Sequence, residues 1–265
     1  MTCAVLRHIA EETGTQEDMG VRVFNGLFRP LSHPHEDWGM DIPWPSWIEE
    51  VHNTASGRCF MLGTGPSLTK EEALFPLLGQ EITWTVNRMR KYYGTLGFAP
   101  TNHVIAEPGP VMGFGHKIGE VYDFPEAQNR IAIHWNVVAT PGWLWCPKAP
   151  DDIQVRFQGI QGLGERLAPL PTAWASPFTS VQLALWMGYD EIYMLGLDTT
   201  NQGQAWDVEF GRTKKPRNIR SIMECVERVR RDIERVGRQI YDCSSGGRLN
   251  EEGILEYRAL EEVLT

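Results

Sequence analysis

The stretch R-C-F-M-L-G-T-G-P-S-L, residues 58–68, decides the fold class of this chain. Residues 59–62 form a short apolar run of the kind found in buried strands. Residues 63–68 supply the Gly, Pro and Ser of a tight turn, and Thr69 with Glu72 three residues later predicts a helix that opens on a capping box. A strand, a glycine-rich turn and a helix in this order predict the first unit of an α/β domain.

The rest of the chain alternates between strand and helix patterns. Strands are predicted at residues 82–86, 103–106, 131–133, 191–195 and 240–243, and helices at 87–92, 177–187, 219–236 and 255–264. This alternation predicts a Rossmann-like α/β fold, which is a mainly parallel sheet with helices on both faces. Ligands of such sheets bind beyond the carboxyl ends of the strands, at the point where the strand order reverses.

The sequence divides into an arm and one domain. Residues 1–55 carry repeated Pro and Trp that interrupt any long period, so we expect an irregular N-terminal arm with one short helix at 46–52. Residues 56–265 are predicted to form a single nucleotide-binding domain. Within it, residues 139–170 are rich in Pro, Gly and Trp, a composition that suits a lid over the ligand site.

Composition excludes several classes of protein. The 265 residues carry a formal net charge of −9, which argues against duplex nucleic acid as a partner, because such proteins need a concentrated basic face. The 5 cysteines are scattered and form no C-x-x-C pair, so neither a disulfide framework nor a zinc site is expected. The sequence shows neither a long apolar run nor a secretory leader, and we expect a cytoplasmic protein without a membrane span.

Polar residues gather where the predicted strands end. Gly63-Thr64-Gly65-Pro66-Ser67 fits either an anion-binding loop, whose glycines let phosphates approach the backbone, or a plain strand-to-helix turn. Asn87 is suited either to hydrogen-bond a ribose or base, or to cap the following helix. Ser176 places a hydroxyl at the start of the predicted 177–187 helix.

Two acids, Glu107 and Asp198, also follow predicted strands. As a pair they can bind Mg²⁺ on a diphosphate, accept hydrogen bonds from ribose hydroxyls or act as a base, whereas either one alone is more often a turn residue. The sequence offers no cluster of His, Cys and Asp with metal-site spacing and no recognisable Ser, His and Asp arrangement.

Two segments resemble a known group of proteins. Residues 61–68, M-L-G-T-G-P-S-L, resemble the strand and "GNGPSL" signature of bacterial sialyltransferases of the Campylobacter type, which also occurs in motility accessory factors and archaeal 6-hydroxymethylpterin pyrophosphokinase-like proteins. Residues 188–198, G-Y-D-E-I-Y-M-L-G-L-D, are similar to the "GYKEIYLxGID" segment of the same group. The resemblance covers roughly residues 58–245 and implies a glycosyltransferase-A-like variant of the Rossmann-like fold.

The resemblance also implies roles for residues at matching positions. Residues 63–67 would approach the nucleotide phosphates, Asn87 would contact the nucleotide, and Ser176 and Asp198 would line the nucleoside pocket. The sequence departs from the sialyltransferases in the catalytic histidine, because no histidine follows His134. Asp198, Glu107 or Asp207 would then have to serve as the catalytic base.

These observations give three functional hypotheses. The first is a glycosyltransferase-like enzyme that binds a nucleotide sugar and transfers the sugar to an acceptor hydroxyl. The second is a Mg²⁺-dependent, pyrophosphokinase-like transferase that uses ATP, with Glu107 and Asp198 on the metal. The third is a nucleotide-binding protein without catalysis. The sequence leaves open the sugar, the acceptor and the oligomeric state, a homo-oligomer included.

Overall fold

The computed structural model describes residues 46–105, 127–132, 144–146, 163, 176–199 and 219–265. Within these ranges the chain forms an eight-stranded sheet in which every neighbouring pair is parallel, in the order β5-β4-β3-β2-β1-β6-β7-β8. The strands are β1 (Arg58–Leu62), β2 (Thr83–Val86), β3 (Asn102–Ile105), β4 (Asn129–Ala132), β5 (Leu144–Trp145), β6 (Glu191–Leu195), β7 (Gln239–Asp242) and β8 (Glu256–Tyr257).

Helices connect these strands in the described part of the chain. The α-helices are Ser46–Glu50, Phe75–Leu78, Tyr93–Leu96, Pro177–Met187, Ile219–Arg235, Arg248–Glu251 and Leu260–Leu264, and two 3-10 helices span Pro66–Leu74 and Asn87–Tyr92. Among the residues that the structure describes, no helix has both the length and the apolar character that a bilayer crossing requires.

Alternation along the strands creates a core on each face of the sheet. In β1, Cys59 and Met61 face one core and Phe60 and Leu62 face the other, because successive side chains of a strand point to opposite faces. The first core also contains the buried faces of the Pro177–Met187 and Ile219–Arg235 helices, and the second contains residues from the shorter helices. The predicted Rossmann-like α/β fold, with helices on both faces, is therefore confirmed.

The strand order reverses between β1 and β6. From β1 the chain builds outward through β2, β3, β4 and β5, and it then returns to place β6 on the other side of β1. Because all strands are parallel, the residues that follow β1, β2, β6 and β7 meet at the carboxyl edge of the sheet. This is the position at which open α/β sheets bind ligands.

Two sequence predictions are wrong. The helix after β1 begins at Pro66 with Gly65 as its N-cap residue, so Thr69 lies inside the helix and no capping box forms. The Thr69 hydroxyl instead donates to the Pro66 carbonyl at 2.8 Å, and the Glu72 carboxylate accepts from the Tyr92 hydroxyl at 2.8 Å. The closing helix begins only at Leu260, because the residues before it pair with β7 as β8.

The described end of the N-terminal arm is attached to the domain. The Trp186 indole donates to the Ile48 carbonyl at 2.6 Å, and the ring of His52 stacks on Trp186 with 3.7 Å between the centroids. The rest of residues 1–55 lies outside the described ranges. Of the predicted lid at 139–170, the structure describes only 144–146 and 163, and Leu144–Trp145 forms strand β5 at one edge of the sheet.

Candidate functional site

The loop after β1 is bonded to the loop after β6, at the point where the strand order reverses. The Gly63 N–H donates to the Leu195 carbonyl and the Gly65 N–H to the Gly196 carbonyl, both at 2.7 Å. A Cβ on Gly65 would lie 2.7 Å from both the Gly196 carbonyl oxygen and the carboxylate of Asp198. The glycine is therefore required by the close approach of two protein segments.

A carboxylate completes this connection. Asp198 is only 6% exposed, and it accepts the Ser67 N–H at 2.8 Å on Oδ2 and the Ser67 hydroxyl on Oδ1. Hydrogen bonds to an ionised acceptor are about twice as strong as those between neutral groups. Asp198 thus holds the first turn of the Pro66–Leu74 helix against the end of β6.

These bonds occupy four of the five backbone N–H groups of residues 63–68, which are the donors that an anion-binding loop would offer. Gly63, Gly65 and Ser67 donate their N–H groups to the β6 side, Leu68 donates to the Gly65 carbonyl at 3.2 Å, and Pro66 has no N–H. In the described structure the Gly63-Thr64-Gly65-Pro66-Ser67 segment therefore connects β1 to β6. We call the region beyond the carboxyl ends of β1, β2 and β6 the switch-point crevice.

A second pair of predicted residues meets beside β2. The Asn87 side-chain amide donates to the Ser176 hydroxyl oxygen at 2.7 Å, although the two residues are 89 positions apart in the sequence. Asn87 is half-buried directly after β2, and Ser176 is the N-cap residue of the Pro177–Met187 helix. An amide and a hydroxyl at a helix N-terminus form a site that suits a polar or anionic ligand group.

Residues after β7, which the sequence reasoning did not single out, support the same edge. The Ser244 hydroxyl oxygen accepts the N–H groups of Gly196 at 3.0 Å and Leu197 at 3.3 Å, and the Arg248 N–H donates to the Asp198 carbonyl at 3.2 Å. The run S-S-G-G-R at 244–248, directly after the predicted strand at 240–243, is the signal that could have identified this loop.

Asp242 is the last residue of β7, directly before this loop, and is fully buried. Its Oδ1 accepts the Ser244 N–H at 2.8 Å. Burial raises the pKa of the Asp242 carboxyl to about 6, and the nearby Asp198 carboxylate acts in the same direction.

Of the three predicted catalytic residues, the structure describes Asp198. Glu107 and Asp207 lie outside the described residues, so the predicted metal pair of Glu107 and Asp198 is represented by Asp198 alone, whose two oxygens are engaged by Ser67. Within the described ranges, no group of three or more His, Cys, Asp or Glu residues is placed to hold a metal ion.

A cavity of about 350 Å³ lies elsewhere, at the β7 and β8 side of the sheet. Its walls include Arg230, Tyr241, Leu255 and Tyr257, and none of the sequence-predicted site residues lines it. The two long-range polar contacts between sequence-predicted residues, Ser67 with Asp198 and Asn87 with Ser176, lie at the switch-point crevice instead.

Comparisons with known proteins add little to this geometry. No family model matches the chain, and no curated protein matches it significantly. Among solved structures, the chain is similar to the MAf glycosyltransferase from Magnetospirillum magneticum AMB-1, with 16% identity and a TM-score of 0.47 over 72% of this chain. The match covers 33% of that chain, so this protein spans about a third of its length. Such a distant likeness carries no argument about activity.

Proposed function

We propose that this protein is a glycosyltransferase-like enzyme that binds a nucleotide sugar at the switch-point crevice and transfers the sugar to an acceptor hydroxyl. The observation that carries the proposal is the 2.7 Å contact between Asn87 and Ser176 beside the β1 and β6 loops. The resemblance of residues 61–68 and 188–198 to the sialyltransferase group supports the choice of a nucleotide-sugar donor.

The Asn87 and Ser176 pair is the proposed nucleoside contact. An amide can both donate to and accept from a base or ribose, and the Ser176 hydroxyl accepts from Asn87 through its oxygen. The Pro177–Met187 helix begins beside the pair, and its positive N-terminal end favours the donor phosphates. We therefore assign the phosphates to this helix start and give the Gly63 to Ser67 loop the task of shaping the crevice floor.

Asp198 is proposed to position the crevice wall. Both of its oxygens accept from Ser67, and a base that deprotonates an acceptor hydroxyl needs an oxygen directed at that hydroxyl. Glu107 and Asp207 are therefore the carboxylates that we propose as candidates for the catalytic base.

Ligand binding tests the proposal first. We expect CMP-, UDP- or GDP-sugars to raise the melting temperature of the full chain, and the nucleotide that does so to bind more weakly to Asn87→Ala. The matched control is Asn250→Ala, an amide outside the crevice. Stabilisation only by ATP with Mg²⁺ would favour the pyrophosphokinase-like alternative, and stabilisation by no nucleotide would contradict all three hypotheses.

Turnover separates an enzyme from a binding protein. We expect slow release of the free nucleotide from the stabilising nucleotide sugar, because water can take the place of the acceptor hydroxyl and receive the sugar. Glu107→Gln and Asp207→Asn identify the base: the variant that loses release while keeping nucleotide affinity carries it. Binding without release in the presence of candidate acceptors would support the non-catalytic alternative.

A further inference from the structure

A buried polar cluster lies beneath Asn87 on the side of the second core. The Thr85 hydroxyl, the Tyr93 hydroxyl and His103 Nδ1 are mutually in contact, at 2.7 Å between the two hydroxyls, 2.8 Å from Thr85 to His103 and 2.7 Å from Tyr93 to His103. Thr85 and His103 are fully buried and lie opposite each other on β2 and β3. Burial of polar groups costs free energy unless they form hydrogen bonds within the protein, so a buried cluster of three polar side chains indicates a specific role.

The cluster is connected to an unusual backbone position. Asn87 has a φ of +48°, in the left-handed region that residues other than glycine adopt uncommonly, Asn more often than most. His103 also makes a hydrogen bond with the Asn87 backbone. Residues held in sparsely populated backbone conformations persist when their surroundings fix them, and they are common at functional sites.

The histidine is suited to a fixed structural connection. Burial lowers the pKa of His103 to about 3, so the ring is neutral throughout the physiological pH range. A neutral ring has one nitrogen that accepts and one that donates. Its Nδ1 contacts both hydroxyls, and its hydrogen bond to the Asn87 backbone connects the ring on β3 to the segment that follows β2.

We propose that Thr85, Tyr93 and His103 form a positioning network that holds Asn87 in its left-handed conformation and so directs its amide at Ser176 for nucleotide recognition. The recognition step rests on the function proposed above. None of the three residues needs to touch the nucleotide. Their contribution is to fix the backbone conformation of Asn87, whose side chain touches the nucleotide.

Removal of single hydroxyls tests the network with little change in shape. Tyr93→Phe and Thr85→Val each delete one hydroxyl, and Tyr92→Phe is the matched control, because its hydroxyl bonds to Glu72 outside the network. In calorimetric titrations with CMP, UDP and GDP, we expect the first two variants to weaken binding about tenfold, the loss that corresponds to one hydrogen bond. The control should keep wild-type affinity.

A double-mutant cycle separates positioning from general stability. In an Asn87→Ala background, Tyr93→Phe should cause no further loss of affinity, because the side chain that it positions is absent. An equal loss in both backgrounds would overturn the proposal.

A ligand-free measurement keeps the network testable apart from the proposed function. In the wild type we expect slowly exchanging, resolved Asn87 side-chain NH₂ signals by NMR, and in Tyr93→Phe and Thr85→Val we expect these signals to exchange faster and to shift toward those of a solvated amide. If no nucleotide binds but these signals change, the network stands while the proposed function fails. Unchanged Asn87 signals in both variants would refute the network whatever the nucleotide results.

Discussion

Two aspartates at the carboxyl edge of the sheet perform different tasks because of their surroundings. Asp198 follows β6 and receives two hydrogen bonds from Ser67, so its charge is matched by oriented donors. Asp242 ends the neighbouring strand, fully buried, with the Ser244 N–H on one oxygen. At the scale of single residues, the first connects two segments, whereas the second bears a desolvation cost when ionised.

Asp242 should make stability depend on pH. Burial raises the pKa of its carboxyl from 3.8 to about 6, so the folded protein binds this proton more tightly than the unfolded chain does. The stabilisation that protonation gives is complete below about pH 4 and is lost as the pH rises through about 6. Asp242→Asn removes this titration and keeps the shape of the side chain.

Urea unfolding at pH 4 and at pH 7.5 measures the effect. The free energy of unfolding of Asp242→Asn relative to wild type should increase on the order of 2–3 kcal/mol between the two pH values, as expected for a shift of about two pKa units. A difference between variant and wild type that is the same at both pH values would show that Asp242 does not titrate in this range.

At the scale of elements, the strand-end loops form a connected series. The loop after β1 bonds to the loop after β6, which bonds in turn to the loop after β7 through Ser244. Lys70, in the helix that follows the β1 loop, donates to the Ser245 carbonyl at 2.9 Å and so connects this side directly to the loop after β7. The glycines at 63 and 65 serve this connection, since the segments that approach them belong to the protein itself.

Gly65→Ala should therefore destabilise the fold instead of acting only on ligand binding. The new Cβ would lie 2.7 Å from backbone and carboxylate atoms that are fixed by their own hydrogen bonds. We expect a loss of about 3 kcal/mol in the free energy of unfolding, at the upper end for overpacked sites. Denaturant unfolding checks this directly.

Gly94→Ala is the matched control, because its Cβ would have no atom within 4 Å and the residue lies in the Tyr93–Leu96 helix. Alanine there should be neutral or stabilising by up to about 1 kcal/mol. Equal unfolding free energies for the two variants would mean that the β1 and β6 loops do not need to be in close contact.

Local patterns predicted some elements well and others not. Strands β1 and β6 were predicted with their observed bounds, because each consists of one charged residue followed by four apolar residues that are all buried. Strand β8 was missed because it has two residues, both exposed, and depends on pairing with β7. The predicted capping box does not form because Thr69 bonds to the Pro66 carbonyl and Glu72 bonds to Tyr92, which is 20 positions away in the sequence.

For the whole molecule, the sequence predicted which residues lie at the carboxyl edge of the sheet, but it did not predict which of these residues form hydrogen bonds with each other. Residues 63–67, Asn87 and Asp198 were each placed correctly after a strand, and parallel strands bring such positions together. The pairings of Ser67 with Asp198 and of Asn87 with Ser176 span 131 and 89 positions, so no local pattern reports them. Glu107 and Asp207 stay predictions.

Hydrogen–deuterium exchange of the full chain with and without CMP, UDP and GDP tests whether the crevice beside Asn87 and Ser176 binds the nucleotide. We predict slower exchange in peptides that contain residues 85–90 and 176–180, and no change in residues 250–257 of the cavity at β7 and β8. Protection confined to that cavity, or no protection by any of the three nucleotides, would show that the crevice is not the nucleotide site.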